Sequence, residues 1–317
     1  MNIGIDMMGG DFAPLEAAKG IRLYLAGNTG DSKLFLFGDG QLIRPLLETE
    51  NIPAERVEIV HAPQVIGMHE HPTKALKEKQ QSSIAVGFHF LATHKIDAFI
   101  SAGNTGAMLV GAMFSIKVIE GVLRPTIASV MPKENGKTGI VLDVGLNADC
   151  KPENLNQFAT LGSLYAQHIL GIPQPRVGLM NVGEEEGKGN ILAQAAYPLL
   201  KQNQQVNFIG NIEGRDILLD KADVVVCEGF TGNVVLKMAE SVYDITHAKN
   251  IEHEFLDRFN FEYYGGTPVL GVSKPVIIGH GISKSLAFKN MLLAAARMIE
   301  SDLMTKMKAS FTGSTNA

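Results

Sequence analysis

The chain has 317 residues, 45% of them hydrophobic, enough for a large core built as one α/β domain or as two smaller ones. A net charge of −5 and a pI near 6.0 leave no basic field, which argues against a nucleic-acid partner. Two cysteines, Cys150 and Cys227, fit a reducing cytoplasm and offer neither a disulfide framework nor a cysteine zinc site, and no apolar run approaches the ~20 residues of a membrane span.

The chain opens with a strand, residues 3–5, rather than a signal peptide. The turn Asp6-Met-Met-Gly9-Gly10-Asp11 follows, with Asp11 suited to cap a helix over 15–26. A strand over 33–37, an amphipathic helix over 41–50 and a strand over 57–60 set the rhythm of a parallel sheet covered by helices. The loop after it carries His61, His69 and His71, but the alternating His69 and His71 lack the spacing of metal ligands. Lys74, Lys77 and Lys79 then form a small basic patch that suits either an acidic partner or a solvated helix face.

A strand over 96–100 runs into Ser101-Ala-Gly-Asn104-Thr105-Gly106-Ala107 and a helix over 108–116. Small residues free the backbone N–H groups there, and Ser101, Asn104 and Thr105 add side-chain donors, so the turn reads as a phosphate cradle. It is neither a Walker motif nor GxGxxG, which favours a compact anion over a nucleotide. Arg124 offers a bidentate contact to the same anion. A strand over 139–144 ends in Asp143-Val-Gly-Leu-Asn147, and a helix over 153–170 follows. The strand 177–182 breaks at Gly183 into three glutamates, of which Glu185 is central, then Lys188 between two glycines and Asn190 before a helix over 191–200. The glutamates are expected to orient Lys188 and cap that helix. The run 222–226 reads as a central strand and ends in Gly229-Phe-Thr-Gly232-Asn233, with Asn233 opening a helix over 234–246. A last strand over 276–278 leads to Gly279-His280-Gly281 and a helix over 284–307.

Six of these turns follow an apolar strand, and most open a helix. In an open parallel sheet such turns gather at the carboxyl edge, where ligands bind, so together they predict one anion-binding cleft. No Gly-x-Ser-x-Gly elbow is present and Cys227 has no base nearby in sequence, so no covalent nucleophile is signalled. Amide donors and a glycine-flanked lysine suit a reaction whose nucleophile arrives ionised, as inorganic phosphate does.

The same motifs, in the same order over nearly the whole chain, resemble the bacterial acyl-carrier-protein:phosphate acyltransferases, the PlsX family of phospholipid synthesis. The resemblance implies a three-layer α/β/α sandwich around a mostly parallel sheet, related to phosphotransacetylases and isopropylmalate dehydrogenases. It implies a homodimer that moves a fatty acyl group from acyl carrier protein to inorganic phosphate without a cofactor or metal. Its acyl phosphate would pass to a membrane glycerol-3-phosphate acyltransferase. Lys188 and Asn233 fall at the catalytic positions. Asp6, Gly9, Gly10, Asp11, Ser101, Asn104, Thr105, Gly106, Arg124, Asp143, Asn147, Glu185, Asn190, Gly232 and His280 fall at phosphate- or substrate-binding ones.

The sequence departs from the family at Glu228, often Asp, which adds a methylene beside Asn233. It also shortens the helical segment ahead of Tyr264-Gly-Gly266, which here is acidic. The expected layout is a single catalytic domain over 1–309, with a helical segment near 234–263 facing a dimer partner or the inner face of the membrane. A disordered tail over 310–317 completes it. The anionic residues of that segment favour the dimer partner over a bilayer. Two other readings fit the residues: a phosphotransacetylase-like enzyme using acyl-coenzyme A, and a non-catalytic anion-binding regulator.

Overall fold

A computed structural model describes residues 1–27 and 30–312. The elements run β1 (Asn2–Asp6), α1 (Leu15–Gly27), β2 (Lys33–Gly38), α2 (Gly40–Thr49), β3 (Val57–His61), α3 (Pro72–Glu78), α4 (Ser83–Ala92), β4 (Ala98–Ser101) and α5 (Thr105–Gly111). They continue with β5 (Thr126–Pro132), β6 (Thr138–Leu142), α6 (Pro152–His168), β7 (Arg176–Met180), α7 (Ile191–Gln202), β8 (Asn207–Ile212), β9 (Val224–Val226), α8 (Gly229–Ala248) and α9 (Glu254–Asp257). The last are β10 (Thr267–Leu270), β11 (Val276–Ile278), α10 (Ser285–Glu300) and α11 (Leu303–Thr312).

Where the sequence leads to one domain over 1–309, contacts gather the chain into two compact units, each α/β and each discontinuous. The first takes Met1–Ile119 with Phe261–Met304, and the second takes Glu120–Asn260 with the stretch from Thr305. Helix α11 carries Ser310, Phe311 and Thr312, three residues assigned above to a disordered tail, and Phe311 is buried. The rest of that tail, 313–317, lies outside the described residues.

In the first unit the strand order is β3-β2-β1-β4-β11-β10, parallel except for β10. Helices α1 and α10 pack together, and α4 packs on β1, β2 and β4. Beneath α4 the rings of Phe37, Phe88 and Phe99 meet edge to face at 5.2–5.7 Å. Helix α4 has no counterpart in the sequence reading.

In the second unit the order is β5-β6-β9-β7-β8, with only the β5–β6 pair antiparallel. Strand β5 is also absent from the sequence reading. Its alternation is blurred by Ala128 and Ser129, and its burial comes from pairing with β6. At the amino edge of this sheet, Lys133 is fully buried and its Nζ lies 2.7 Å from Asp223 and 3.2 Å from Asp220. Arg176 donates to the same two carboxylates, tying the start of β7 to the end of β5 and the entrance of β9.

Candidate functional site

Within each unit, three glycine-rich turns meet at the carboxyl ends of three adjacent parallel strands. In the first unit β1, β4 and β11 lie side by side, with Ile5 opposite Ile100 and Ser101 opposite Ile278. That register places turns 6–11, 101–107 and 279–283 together. In the second, Leu142 of β6 and Leu179 of β7 both face Val226 of the intervening β9. That register gathers 143–147, 183–190 and 229–233.

The first group is more self-contained than the sequence suggests. Asp6 is buried and accepts from the Ser101 hydroxyl at 2.6 Å and from the Met8 N–H at 3.0 Å. Burial holds its carboxyl above the ordinary Asp range, although those hydrogen bonds pull it back down. The Ser101 oxygen also accepts from the Gly103 N–H, so this hydroxyl is spent inside the turn. Asn104 caps α5 by accepting from Ala107 N–H, and its amide donates to the carbonyls of Gly67, Met68 and Glu70. Two of the side-chain donors assigned to the phosphate cradle are thus occupied. What remains are the N–H groups of Thr105 and Gly106, which the Asn104 cap does not engage, and the exposed Thr105 hydroxyl. Gly9 packs on the Gly103 backbone, and Gly10 takes a φ of +100°. Asp11 lies four residues ahead of α1 and donates its N–H to Gly281, so it is not the cap expected for that helix. His280 packs against the Phe261 ring at 4.4 Å. In the patch beyond, Lys79 pairs with Glu70 and Lys74 with Glu78.

The second group is built around the Asp143 loop. One Asp143 oxygen accepts from the N–H groups of Gly145 and Leu146, the other from the backbone and side-chain N–H of Asn147. Burial nonetheless raises its carboxyl above the usual value. The Asn147 amide also donates to the Pro125 carbonyl, and Arg124 reaches the carbonyl of Asp149.

Helix α8 begins at Gly229, five residues earlier than the start at 234 that its sequence suggests. Glu228 caps it by accepting from the Phe230 and Thr231 N–H groups and from the Thr231 hydroxyl. Asn233 therefore stands in the second turn rather than opening the helix, exposed, with its side chain beside Gly145. Gly232 makes this placement possible, because a Cβ there would lie 1.8 Å from the Asp143 carbonyl oxygen.

Lys188 is exposed and, among the described residues, forms no ion pair. Its stem crosses Gly183, where a Cβ would sit 3.3 Å from Lys188 Cγ. The three glutamates do not orient it through their side chains: Glu184 pairs with Lys221 and Glu186 with Lys201. Glu185 acts through its carbonyl, which accepts from the Lys188 N–H and the Asn211 amide. The helix cap is Asn190, which accepts from Ala193 N–H. Asn181, overlooked in the sequence, clamps the loop by donating to the Lys188 carbonyl at 3.0 Å. Gly189 and Asn190 next to Lys188, and Glu228 and Phe230 ahead of Asn233, line one cavity of about 730 Å³.

Neither thiol is a nucleophile at neutral pH. Burial, reinforced by the Asp143 charge, pushes the half-buried Cys150 up to about 12. Burial likewise pushes the enclosed Cys227 thiol well above its ordinary value.

Residues 1–250 match the family described as "Fatty acid synthesis protein". The phosphate acyltransferase of Halothermothrix orenii is 43% identical over 328 residues, covering 97% of this chain and 98% of its own. That of Aquifex aeolicus is 42% identical, covering 97% and 96%. In fold, the chain is similar to a phosphotransacetylase from Streptococcus pyogenes, with a TM-score of 0.69 at 18% identity over 95% of this chain and 94% of that one. It is also similar to a branched-chain phosphotransacylase from Enterococcus faecalis, with a TM-score of 0.63 at 15% identity over 94% and 99%. The chain is an acyltransferase and belongs to the phosphate acyltransferase (PlsX) family.

Proposed function

We propose that this acyltransferase moves a fatty acyl group from acyl carrier protein to inorganic phosphate, supplying acyl phosphate for phospholipid synthesis. The observation that carries this reading is the Lys188 loop. It holds an unpaired cation within one gathering of strand ends with Asn233, and both nearby thiols are neutral. A phosphate oxygen attacks the thioester carbonyl carbon, the carbonyl becomes an oxyanion, and the C–S bond then breaks to release the pantetheine thiolate. With a thiol pKa of about 8.5, that leaving group needs little acid help. Lys188 neutralises charge on phosphate and the transition state, and the Asn233 amide donates to the oxyanion. Arg124, in the same unit, supplies a further donor for the anion.

The enzyme works as a homodimer in the cytoplasm and hands its product to a glycerol-3-phosphate acyltransferase at the inner face of the membrane. The exposed far end of α8, with Ile245 at 55%, supports a surface that meets a second copy. Among the described residues no helix is long and apolar enough to cross a membrane. The test is incubation with palmitoyl carrier protein and phosphate, reading acyl phosphate, with palmitoyl-coenzyme A in parallel. Product from the carrier thioester supports the reading. Product from coenzyme A alone favours the phosphotransacetylase-like alternative, and no product from either leaves an anion-binding regulator.

A further inference from the structure

Asn181, the residue after β7, and Asn211, near the end of β8, both reach into the Lys188 turn. Leu179 of β7 lies opposite Asn211, and the Asn181 N–H extends that ladder by donating to the Ile212 carbonyl at 2.8 Å. The Asn211 amide donates to the Glu185 carbonyl at 2.8 Å, and the same carbonyl accepts the Lys188 N–H at 3.1 Å. The Asn181 amide donates to the Lys188 carbonyl at 3.0 Å. Gly189, at a φ of +98°, packs so closely on Asn181 Oδ1 that a Cβ has no room there. The N–H and the carbonyl of Lys188 are thus both fixed, from two adjacent strands, while its side chain stays exposed.

We infer that Asn181 and Asn211 are positioning residues for the acyl transfer: they hold the Lys188 main chain so that the ammonium meets the anion from a fixed base. This rests on the reading of Lys188 as the cation of the reaction. Two observations carry it beyond a structural clamp. Asn211 is buried, and its Oδ1 is enclosed with no hydrogen-bond partner among the described residues. An unanswered buried acceptor costs stability, so this side chain is a poor choice for packing and is explained by what its amide holds. The second observation is charge. An asparagine amide donates to a carbonyl without bringing charge, whereas a lysine or arginine would compete for the anion and a carboxylate would capture the ammonium. The carboxylates nearest in sequence, Glu184 and Glu186, are drawn off to Lys221 and Lys201. Neutral amides therefore anchor the turn and leave its cation to the substrate.

The test is a double-mutant cycle in the full-length protein. Acyl phosphate is read with enzyme in excess, from palmitoyl carrier protein or palmitoyl-coenzyme A, whichever the wild type turns over. Asn181→Leu and Asn211→Leu remove the donor at similar volume, and each is expected to lower the rate roughly 10–100-fold with an unchanged circular dichroism spectrum. In Lys188→Ala protein no ammonium is left to place, so the same substitutions should change the residual rate by less than about twofold. A leucine variant that fails to fold is replaced in the cycle by the alanine variant. Losses that multiply in the double variants overturn the proposal, because they show the asparagines acting on the fold at large. Full activity in the single variants overturns it too. In both cases an inactive Lys188→Ala protein leaves the catalytic reading standing. Lys188→Ala protein as active as wild type, or a wild type inactive on both donors, instead sinks the reading of Lys188 on which the proposal rests.

Discussion

A lysine with no carboxylate beside it is available to a visiting anion, and Lys188 combines that with a place in a glycine-rich turn at the strand ends of the second unit. Lys133, Lys201 and Lys221 there are each answered by an acid. Lys188→Ala should lower kcat/KM roughly 10²–10³-fold, and because the side chain is exposed and unpaired the thermal midpoint should stay put. A folded Lys188→Ala enzyme with full activity would remove the assignment. Asn233→Ala should reduce kcat on a similar scale while the KM for phosphate barely moves, since its amide is assigned to the oxyanion. A rise in phosphate KM with kcat intact would move Asn233 from the carbonyl to the phosphate. Residue types at strand ends were legible; what those side chains already touch was not. Ser101 is spent on Asp6, 95 positions away, and Asn104 on carbonyls up to 37 positions away, pairings that no local pattern reveals.

At the scale of elements, the start of α8 shows why a helix boundary escaped the sequence. Gly229 and Gly232 are poor helix formers and read as turn residues, yet the helix needs them where its first turn presses on the 143–147 loop. Gly232→Ala should destabilise by about 1–3 kcal/mol in urea unfolding and lose activity, because the added methyl forces α8 off the Asp143 carbonyl. Stability equal to wild type would contradict the close approach seen here. The buried Lys133 makes a second element-scale prediction. Burial pushes Asp223 upward, but Arg176 and Lys133 outweigh it and hold its carboxyl down at about 2. A depressed folded-state value means the stabilisation is present above the ordinary Asp pKa of about 4 and is lost as pH falls from there toward 2. Lys133→Met should cost about 3–5 kcal/mol at neutral pH. It should also flatten this acid limb in denaturation curves collected across that range; an unchanged limb would dissociate it from Lys133. A buried lysine was invisible beforehand, because its partners come from the approach to β9, some 90 residues on.

For the whole molecule, the parallel α/β architecture and the clustering of turns at strand ends were readable from strand spacing and glycine placement. The division into two units was not, because each unit is assembled from distant stretches of chain. On the proposed reading the acyl donor is an acidic carrier, and the local basic patch at α3 is the surface of this acidic protein proposed to meet it. Reversing Lys74 and Lys77 to Glu should raise the KM for the carrier thioester several-fold at low salt, leave that for acyl-coenzyme A nearly alone, and lose its effect as ionic strength rises. Equal effects on both donors would place carrier docking elsewhere.

The discontinuity of the first unit also bears on how the protein is made. Strand β11 pairs with β4, and α10 packs on α1, so the first 119 residues emerge from a ribosome lacking a neighbouring strand and a covering helix. The stretch 120–260 is synthesised before residues 261–304 arrive to complete the earlier one. The nascent chain thus carries β4 with an open edge for the time needed to translate the intervening residues, an interval in which edge pairing between chains is the hazard. A chain stopped after Asn260 would make that interval permanent.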